Sequence, residues 1–284
     1  MGTTMTNVAP SNAEQAAAWN GDQGQFWTEQ ADYFDDAVAG YREPFIAACS
    51  LNEGMHVLDI GCGTGQTTRE AARAATRGTA LGVDLSSSMI ELARRTAQDE
   101  GLTNCSFEQL DAQVHPFRPK WDLVMSRSGV MFFGEPDVAF ANLARALKPE
   151  GRIVLFVWRA FGENEWICEV SGALSAGREL PMPPADAPGP FSLADPGRVR
   201  ALLEGAGFED VSLTPLERPM RFGRTPEDAR DFILGLSGWM LDGLDDVSRA
   251  RAIDKLNSTI DSHAGTTGVH FGSAGWIVSG LRRL

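Results

Sequence analysis

The sequence predicts an α/β fold built on a mostly parallel sheet. Three observations carry this. Five short apolar runs between Met55 and Trp158 are separated by helix-compatible stretches, the alternation that produces a parallel sheet with right-handed crossovers. The first run leads straight into Gly61, Gly63 and Gly65, a turn signal between strand and helix. The fifth run, "GRIVLFVW" (151–158), is nearly all apolar, as strands covered on both faces are.

The elements follow in order. Residues 1–12 read as a mobile tail, and Ala13 to Cys49 as a helical preface rich in aromatics and interrupted by Gly21 and Gly24. "MHVLDI" is the first strand, and a helix runs from about Gln66 to Ala75. "TALGVDL" is the second strand, after which Ser88 and Glu91 stand at capping-box spacing ahead of a helix whose apolar face includes Met89, Ile90 and Ala93. "CSFEQLD" and "WDLVMSR" are the third and fourth strands. Phe140, Leu143, Ala144 and Leu147 then repeat at i, i+3, i+4 and i+7, an amphipathic helix before the fifth strand. The rhythm breaks after Trp158. Residues 162–194 contain "PMPPADAPGP", a proline-rich loop that cannot be regular. Asp195–Pro196 and Thr225–Pro226 are helix-start pairs. Residues 208–222 read as a strand, about 245–260 as a helix, and "GVHFGSAGWIVSG" as a closing strand.

Composition narrows the function. The 284 residues carry a formal net charge of −13, which disfavours nucleic acid and anionic membranes as partners. No apolar run reaches the ~18 residues of a membrane span. The start, "MGTTMTNVAPSNAEQ", lacks the pattern of a secretory signal, although Gly2 and Thr6 fit the loose N-myristoylation pattern. Cys49, Cys62, Cys105 and Cys168 are scattered without metal-ligand spacing. The expectation is a cytoplasmic protein with no metal and no stable membrane insertion, either monomer or homodimer.

The glycine loop points to a nucleoside. Gly61 and Gly63 match the first two positions of the dinucleotide fingerprint, but the third falls on Gln66, and no lysine makes it a phosphate loop. Asp59 precedes the loop, and its carboxylate is expected to repel a diphosphate and to suit an ammonium group. Asp84, at the end of the second strand, is placed to accept from two ribose hydroxyls. Asp111, followed by Ala112, is placed to accept from an adenine amine. Ribose, adenine and ammonium without phosphate are the parts of S-adenosylmethionine.

"VLDIGCGTGQTT", "LGVDLSSSMIELAR", "FEQLDAQVHPF", "DLVMSRSGVMFF" and "LARALKPEGRIVLFVW" resemble, in order, the motifs of class I S-adenosylmethionine-dependent methyltransferases. Within that class the chain is most similar to the group containing the ubiquinone/menaquinone-biosynthesis methyltransferases. "AWNGDQGQFW" and "NEW" also resemble members of the group. The resemblance implies a Rossmann-like, seven-stranded, mostly parallel sheet with helices on both faces and the last strand antiparallel. It also implies a helical lid over 13–50 and a methyltransferase domain over 51–284, in which insertions at about 162–194 and 223–265 cover the substrate. For the cofactor it implies Asp59, Gly61 and Gly63 at the methionine end, Asp84 at the ribose, and Leu85, Met89, Asp111 and Ala112 around the adenine. Ser126 and Arg127 then lie near the sulfonium, with Trp27 as a covering aromatic.

The substrate is expected beside the ends of the fourth and fifth strands, where Ser128, Met131, Phe132 and Trp158 fall, joined by Trp166, Trp239 and His270. This greasy, aromatic set points to a flat or lipophilic small molecule methylated on carbon or oxygen. His115 and His270 are weak candidates for a base, and no catalytic residue is assigned. The alternatives are a nicotinamide- or flavin-dependent oxidoreductase, against which Gln66 and Asp59 speak, and a non-catalytic binding protein that keeps the methyltransferase fold. A nucleic-acid methyltransferase is disfavoured by charge and by "SRSG" at the end of the fourth strand.

Overall fold

A computed structural model describes residues 7–180 and 183–283. The acylation pattern at Gly2 and Thr6 lies outside these residues, as do Pro181 and Met182 of the proline-rich loop. Four short helices open the chain: α1 (Ala13–Asn20), α2 (Asp22–Glu29), α3 (Ala31–Ala37) and α4 (Ala39–Cys49). The alternating layer follows as β1 (His56–Ile60), α5 (Gln66–Ala74), β2 (Thr79–Asp84), α6 (Ser87–Asp99), β3 (Cys105–Gln109), β4 (Trp121–Arg127), α7 (Pro136–Ala146) and β5 (Leu147–Trp158). The remainder is α8 (Glu165–Leu174), α9 (Pro196–Gly205), β6 (Phe208–Gly223), α10 (Pro226–Ser237), α11 (Asp246–Ser262), the two-residue β7 (Ala264–Gly265) and β8 (Gly268–Arg282).

The sheet runs β3-β2-β1-β4-β5-β8-β6, with β7 attached to β8 off this path. β1 to β5 pair in parallel, and β8 is antiparallel to both β5 and β6. This is the seven-stranded, mostly parallel sheet that the sequence implies, with β7 as an addition. Chain order reverses between β1 and β4. In such a sheet the crevice for a ligand opens at the carboxyl ends of the strands flanking that reversal.

Local chemistry sets the helix starts. Asp195, Thr225 and Asp245 each accept the backbone N–H three residues on, at 2.6, 3.2 and 2.7 Å, satisfying a donor that an uncapped helix leaves open. For α6 the cap is Ser86, which accepts from Met89 N–H. The Ser88–Glu91 capping box does not form, because the Ser88 hydroxyl lies between Ser86 Oγ and Thr28 Oγ1, at 3.1 and 3.0 Å. The core lies on both sides of the sheet, with Phe45, Leu58, Leu123, Phe156 and Phe271 fully buried. Tyr41, also fully buried, places its hydroxyl 2.7 Å from Ser273 Oγ and ties α4 to β8.

The reading of the first residues as a mobile tail is corrected. Residues 7–12 are docked: Ala9 and Asn12 are buried, and Pro10–Asn12 form a short helical turn. The segment holds because the sheet offers it a partner far along the chain. Ala9 N–H and Asn12 Nδ2 donate to Asp111 at 2.9 and 2.8 Å, and Asn12 Oδ1 accepts from Gly134 N–H at 2.7 Å. Ahead of the proline-rich loop, α8 occupies Glu165–Leu174 and buries Trp166, Val170, Ala173 and Leu174. Asn164 anchors it by accepting from Trp166 Nε1 and from Ala274 N–H of β8.

Candidate functional site

Two adjoining cavities open at the carboxyl ends of β1, β2 and β4. The first is lined by Gly61 and Gly63 after β1, Asp84 and Leu85 at the end of β2, Met89 of α6, and Asp111 and Ala112 after β3. The second measures about 340 Å³ and reaches towards α3, α8 and α10. Trp19, Trp27, Gly61, Gly63, Arg127, Ser128 and Phe132 line both.

The glycine loop is shaped by close packing. Gly61 has φ 62°, and a Cβ there would stand 2.6 Å from Gly129 Cα, so the turn after β1 rests directly on the turn after β4. Gly65 has φ 80°, and a Cβ would stand 2.5 Å from the Phe107 ring. The third glycine is therefore required by the contact with β3, which explains why the dinucleotide spacing fails.

Asp84 is the oriented acid of the first cavity. Gly63 N–H donates to its Oδ2 and Ser86 N–H to its Oδ1, both at 2.9 Å. Burial raises its pKa, and the backbone donors oppose that shift. One lone-pair direction on each oxygen remains open, as a ribose with two hydroxyl donors requires. Leu85, Met89 and Ala112 supply apolar wall as expected.

Asp59 is a correction. Its carboxylate is fully buried and does not belong to either cavity lining. Thr67 and Thr68, in the first turn of α5, donate their hydroxyls to Oδ2 at 2.7 and 2.6 Å. Burial pushes its pKa up to about 6, against these two hydrogen bonds. Oδ1 has no partner among the described residues. Asp59 thus ties β1 to the start of α5 beneath the loop. The acids that line the first cavity are Asp84 and Asp111.

Asp111 lines the first cavity but is largely engaged. Besides Ala9 and Asn12, Gln113 N–H donates to it at 2.9 Å. Its main visible work is to fasten the N-terminal segment, leaving one lone-pair position for a ligand amine. Ser126 is another correction: it is fully buried, donates to the Ile60 carbonyl at 2.7 Å and accepts from Val130 N–H, and it lines neither cavity. Its hydroxyl locks β4 to β1. Arg127 and Ser128 do face the cavities, and Ser128 takes φ 69°.

The second cavity is aromatic. Met131, Phe132, Trp158 and Trp166 line it, as does Trp239, which is 57% exposed and stands at the mouth. Trp27 lies flat against Phe34, with centroids 3.4 Å apart and planes 6° apart, on the boundary between the cavities. Neither histidine candidate lines either cavity. His270 sits on β8 opposite Arg221, with Nδ1 3.3 Å from the Gly268 carbonyl, and His115 packs on Phe117 at 4.7 Å. His270 alternates with Val269 and Phe271, which point into the core, so the pleat turns it to the other face. The sequence reading missed Asn12, Trp19, Phe34 and Asp35 among the lining residues. Trp19 and Phe34 belong to the aromatic preface, which was the available signal. Asp35 carried none.

A methyltransferase-domain family model matches residues 57–151. Aklanonic acid methyltransferase DauC of Streptomyces sp. strain C5 is 39% identical over 102 residues, 35% of this chain and 46% of DauC. The ubiquinone/menaquinone biosynthesis C-methyltransferase UbiE of Pseudomonas paraeruginosa is 31% identical over 132 residues, 44% of this chain and 52% of UbiE. The chain thus spans about half the length of these curated relatives. The solved structure of Haemonchus contortus phosphoethanolamine N-methyltransferase 2 in complex with S-adenosyl-L-methionine superposes with a TM-score of 0.58 at 17% identity, covering 98% of this chain and 61% of that one. The chain has the class I S-adenosylmethionine-dependent methyltransferase fold.

Proposed function

We propose that the chain transfers a methyl group from S-adenosylmethionine to carbon or oxygen of a small, flat, lipophilic molecule, in the manner of the ubiquinone/menaquinone-biosynthesis group. The observation that carries this reading is the junction of the two cavities. An acid-bearing pocket suited to a nucleoside opens, across the same glycine turn, into an aromatic chamber.

The residues fit the cofactor. Asp84 would take the ribose hydroxyls; Leu85, Met89 and Ala112 would flank the adenine, with Asp111 at its edge; Gly61 and Gly63 would leave room for the methionine end; and Trp27 would cover it. Bound there, S-adenosylmethionine supplies an electrophilic methyl group on a positively charged sulfur. The chain contributes alignment and dryness. Holding two reactants in attack geometry is worth roughly 7–11 kcal/mol of barrier, and the rigid wall of Met131, Trp158 and Trp166, each less than a tenth exposed, is built for that. Aromatic faces beside a cation contribute roughly 0.5–2 kcal/mol more, and Trp19, Trp27 and Phe132 are the rings common to both cavities. Among the described residues no histidine lines the chamber, so proton removal by an imidazole is no part of the proposal.

The test is a methyl-transfer screen of lipophilic phenols, quinols and indoles read by mass spectrometry. The expected result is a product 14 mass units heavier (replacement of H by CH3), dependent on S-adenosylmethionine and on Asp84. Transfer only to nucleic acid or protein, or none to any small molecule by a chain that binds the cofactor, would refute it.

A further inference from the structure

Resting on that reading, we infer that Asp35 is a specificity-determining acceptor, and that the substrate presents it with a neutral hydroxyl, phenolic or enolic, at the junction of the two cavities.

Among the described residues, Asp35 and Arg127 are the only charged ones in the lining of the 340 Å³ chamber. Asp35 comes from α3 in the helical preface, and Arg127 from the end of β4. Arg127 Nη2 donates to Asp35 Oδ1 at 2.8 Å, and Nη1 donates to Gln66 Oε1 at 2.6 Å. The pair is well shielded, with side chains 14% and 23% exposed. Asp35 Oδ2 makes no hydrogen bond among the described residues. The chamber therefore offers one charged, oriented acceptor in a lining that is mostly apolar and aromatic.

Its position says what it is for. Arg127 also lines the nucleoside pocket, so a group bound to its carboxylate partner lies beside the place where the methyl donor ends. Charge says what binds. Arg127 is paired with Asp35 through Nη2 and held by Gln66 through Nη1. An anionic ligand would meet the Asp35 carboxylate, and a cationic one would meet the Arg127 guanidinium. A neutral O–H donor meets neither repulsion and can donate to Asp35 Oδ2. Flat aromatic rings such as Phe34, Phe222 and Phe232 complete the lining, so the hydroxyl belongs to a planar apolar body. A hydrogen bond to a charged acceptor in such a place corresponds to about a ten- to hundredfold preference over the analogue lacking the hydroxyl.

The test is calorimetric binding of four probes of one size to the whole chain, with and without adenosylhomocysteine: naphthalene, 2-naphthol, 2-naphthoate and 2-naphthylmethylamine. The expected order places 2-naphthol at least tenfold above each of the others. Asp35→Asn should remove most of that advantage while leaving adenosylhomocysteine affinity within threefold. Asp36→Asn is the control. It removes the same charge from the same helix, but its partner is Arg221 and it lies outside the chamber lining, so the naphthol preference should persist. Equal binding of naphthol and naphthalene, or preference for the carboxylate or the amine, overturns the inference, as does an unaltered naphthol preference in Asp35→Asn. Failure of adenosylhomocysteine to bind would instead refute the function proposed above.

Discussion

At the residue scale, three carboxylates in one crevice do three different jobs, and burial decides which. Asp84 is partly open and held by two backbone donors, so it faces the ligand. Asp111 spends three hydrogen bonds on the chain itself. Asp59 is sealed under the loop, and its burial has a thermodynamic consequence. Its pKa stands at about 6 in the folded protein, against roughly 4 when unfolded. Between those values the folded state binds more protons, so this group's contribution to stability falls as pH rises. At about 1.4 kcal/mol per unit the full loss is about 3 kcal/mol, spread from about a unit below the lower value to about a unit above the higher one. Asn at this position still accepts from Thr67 and Thr68 but does not titrate. Comparing urea unfolding of the wild type and Asp59→Asn from about pH 3 to about pH 7 should show the wild type losing about 3 kcal/mol relative to the variant. Parallel profiles would mean that the carboxyl is not protonated in that range. Strand parity could not have shown where Asp59 points, because its neighbours Leu58 and Ile60 are buried as well, and a central parallel strand has no solvent face.

At the scale of elements, what the sequence made legible was what is local. The turn after β1, the caps at Asp195, Thr225 and Asp245, and the apolar run of β5 each announce themselves within a few residues. The N-terminal segment could not, because its stabilising partner lies about a hundred positions away at Asp111 and Gly134. A stretch with no apolar pattern of its own reads as tail until the surface that receives it is known. Asn12 is the hinge of this docking: its side chain donates to Asp111 and accepts from Gly134 while 1% exposed. Asn12→Ala removes one of the three donors to Asp111 and leaves the half-buried Gly134 N–H without its acceptor, at roughly 1–3 kcal/mol. The expected outcome is early proteolytic cleavage near residue 12 and at least tenfold weaker binding of adenosylhomocysteine, whose pocket Asn12 lines. Unchanged cleavage and affinity would show that the segment is not needed to close the pocket. Histidine 270 teaches the complementary lesson. It was singled out for its chemistry, yet its strand neighbours already assigned it to the other face.

At the scale of the molecule, the preface, α8 and α10 converge on one end of the sheet and wall an aromatic chamber beside the nucleoside pocket. The net charge of −13 over the whole chain disfavours polyanions as partners, and among the described residues no helix is long and apolar enough to cross a membrane. The four cysteines are all free; burial pushes the Cys49 and Cys105 thiols up to about 12 and the Cys62 thiol well above its ordinary value. They are structural fillers rather than nucleophiles. Everything functional therefore depends on the crevice accepting a sulfonium nucleoside. Isothermal titration of the purified chain with adenosylhomocysteine, and separately with a nicotinamide dinucleotide, tests this most directly. Saturable one-to-one binding of adenosylhomocysteine, weakened at least tenfold by Asp84→Ala, with no uptake of the dinucleotide, is the predicted result. Uptake of the dinucleotide with indifference to adenosylhomocysteine would contradict it.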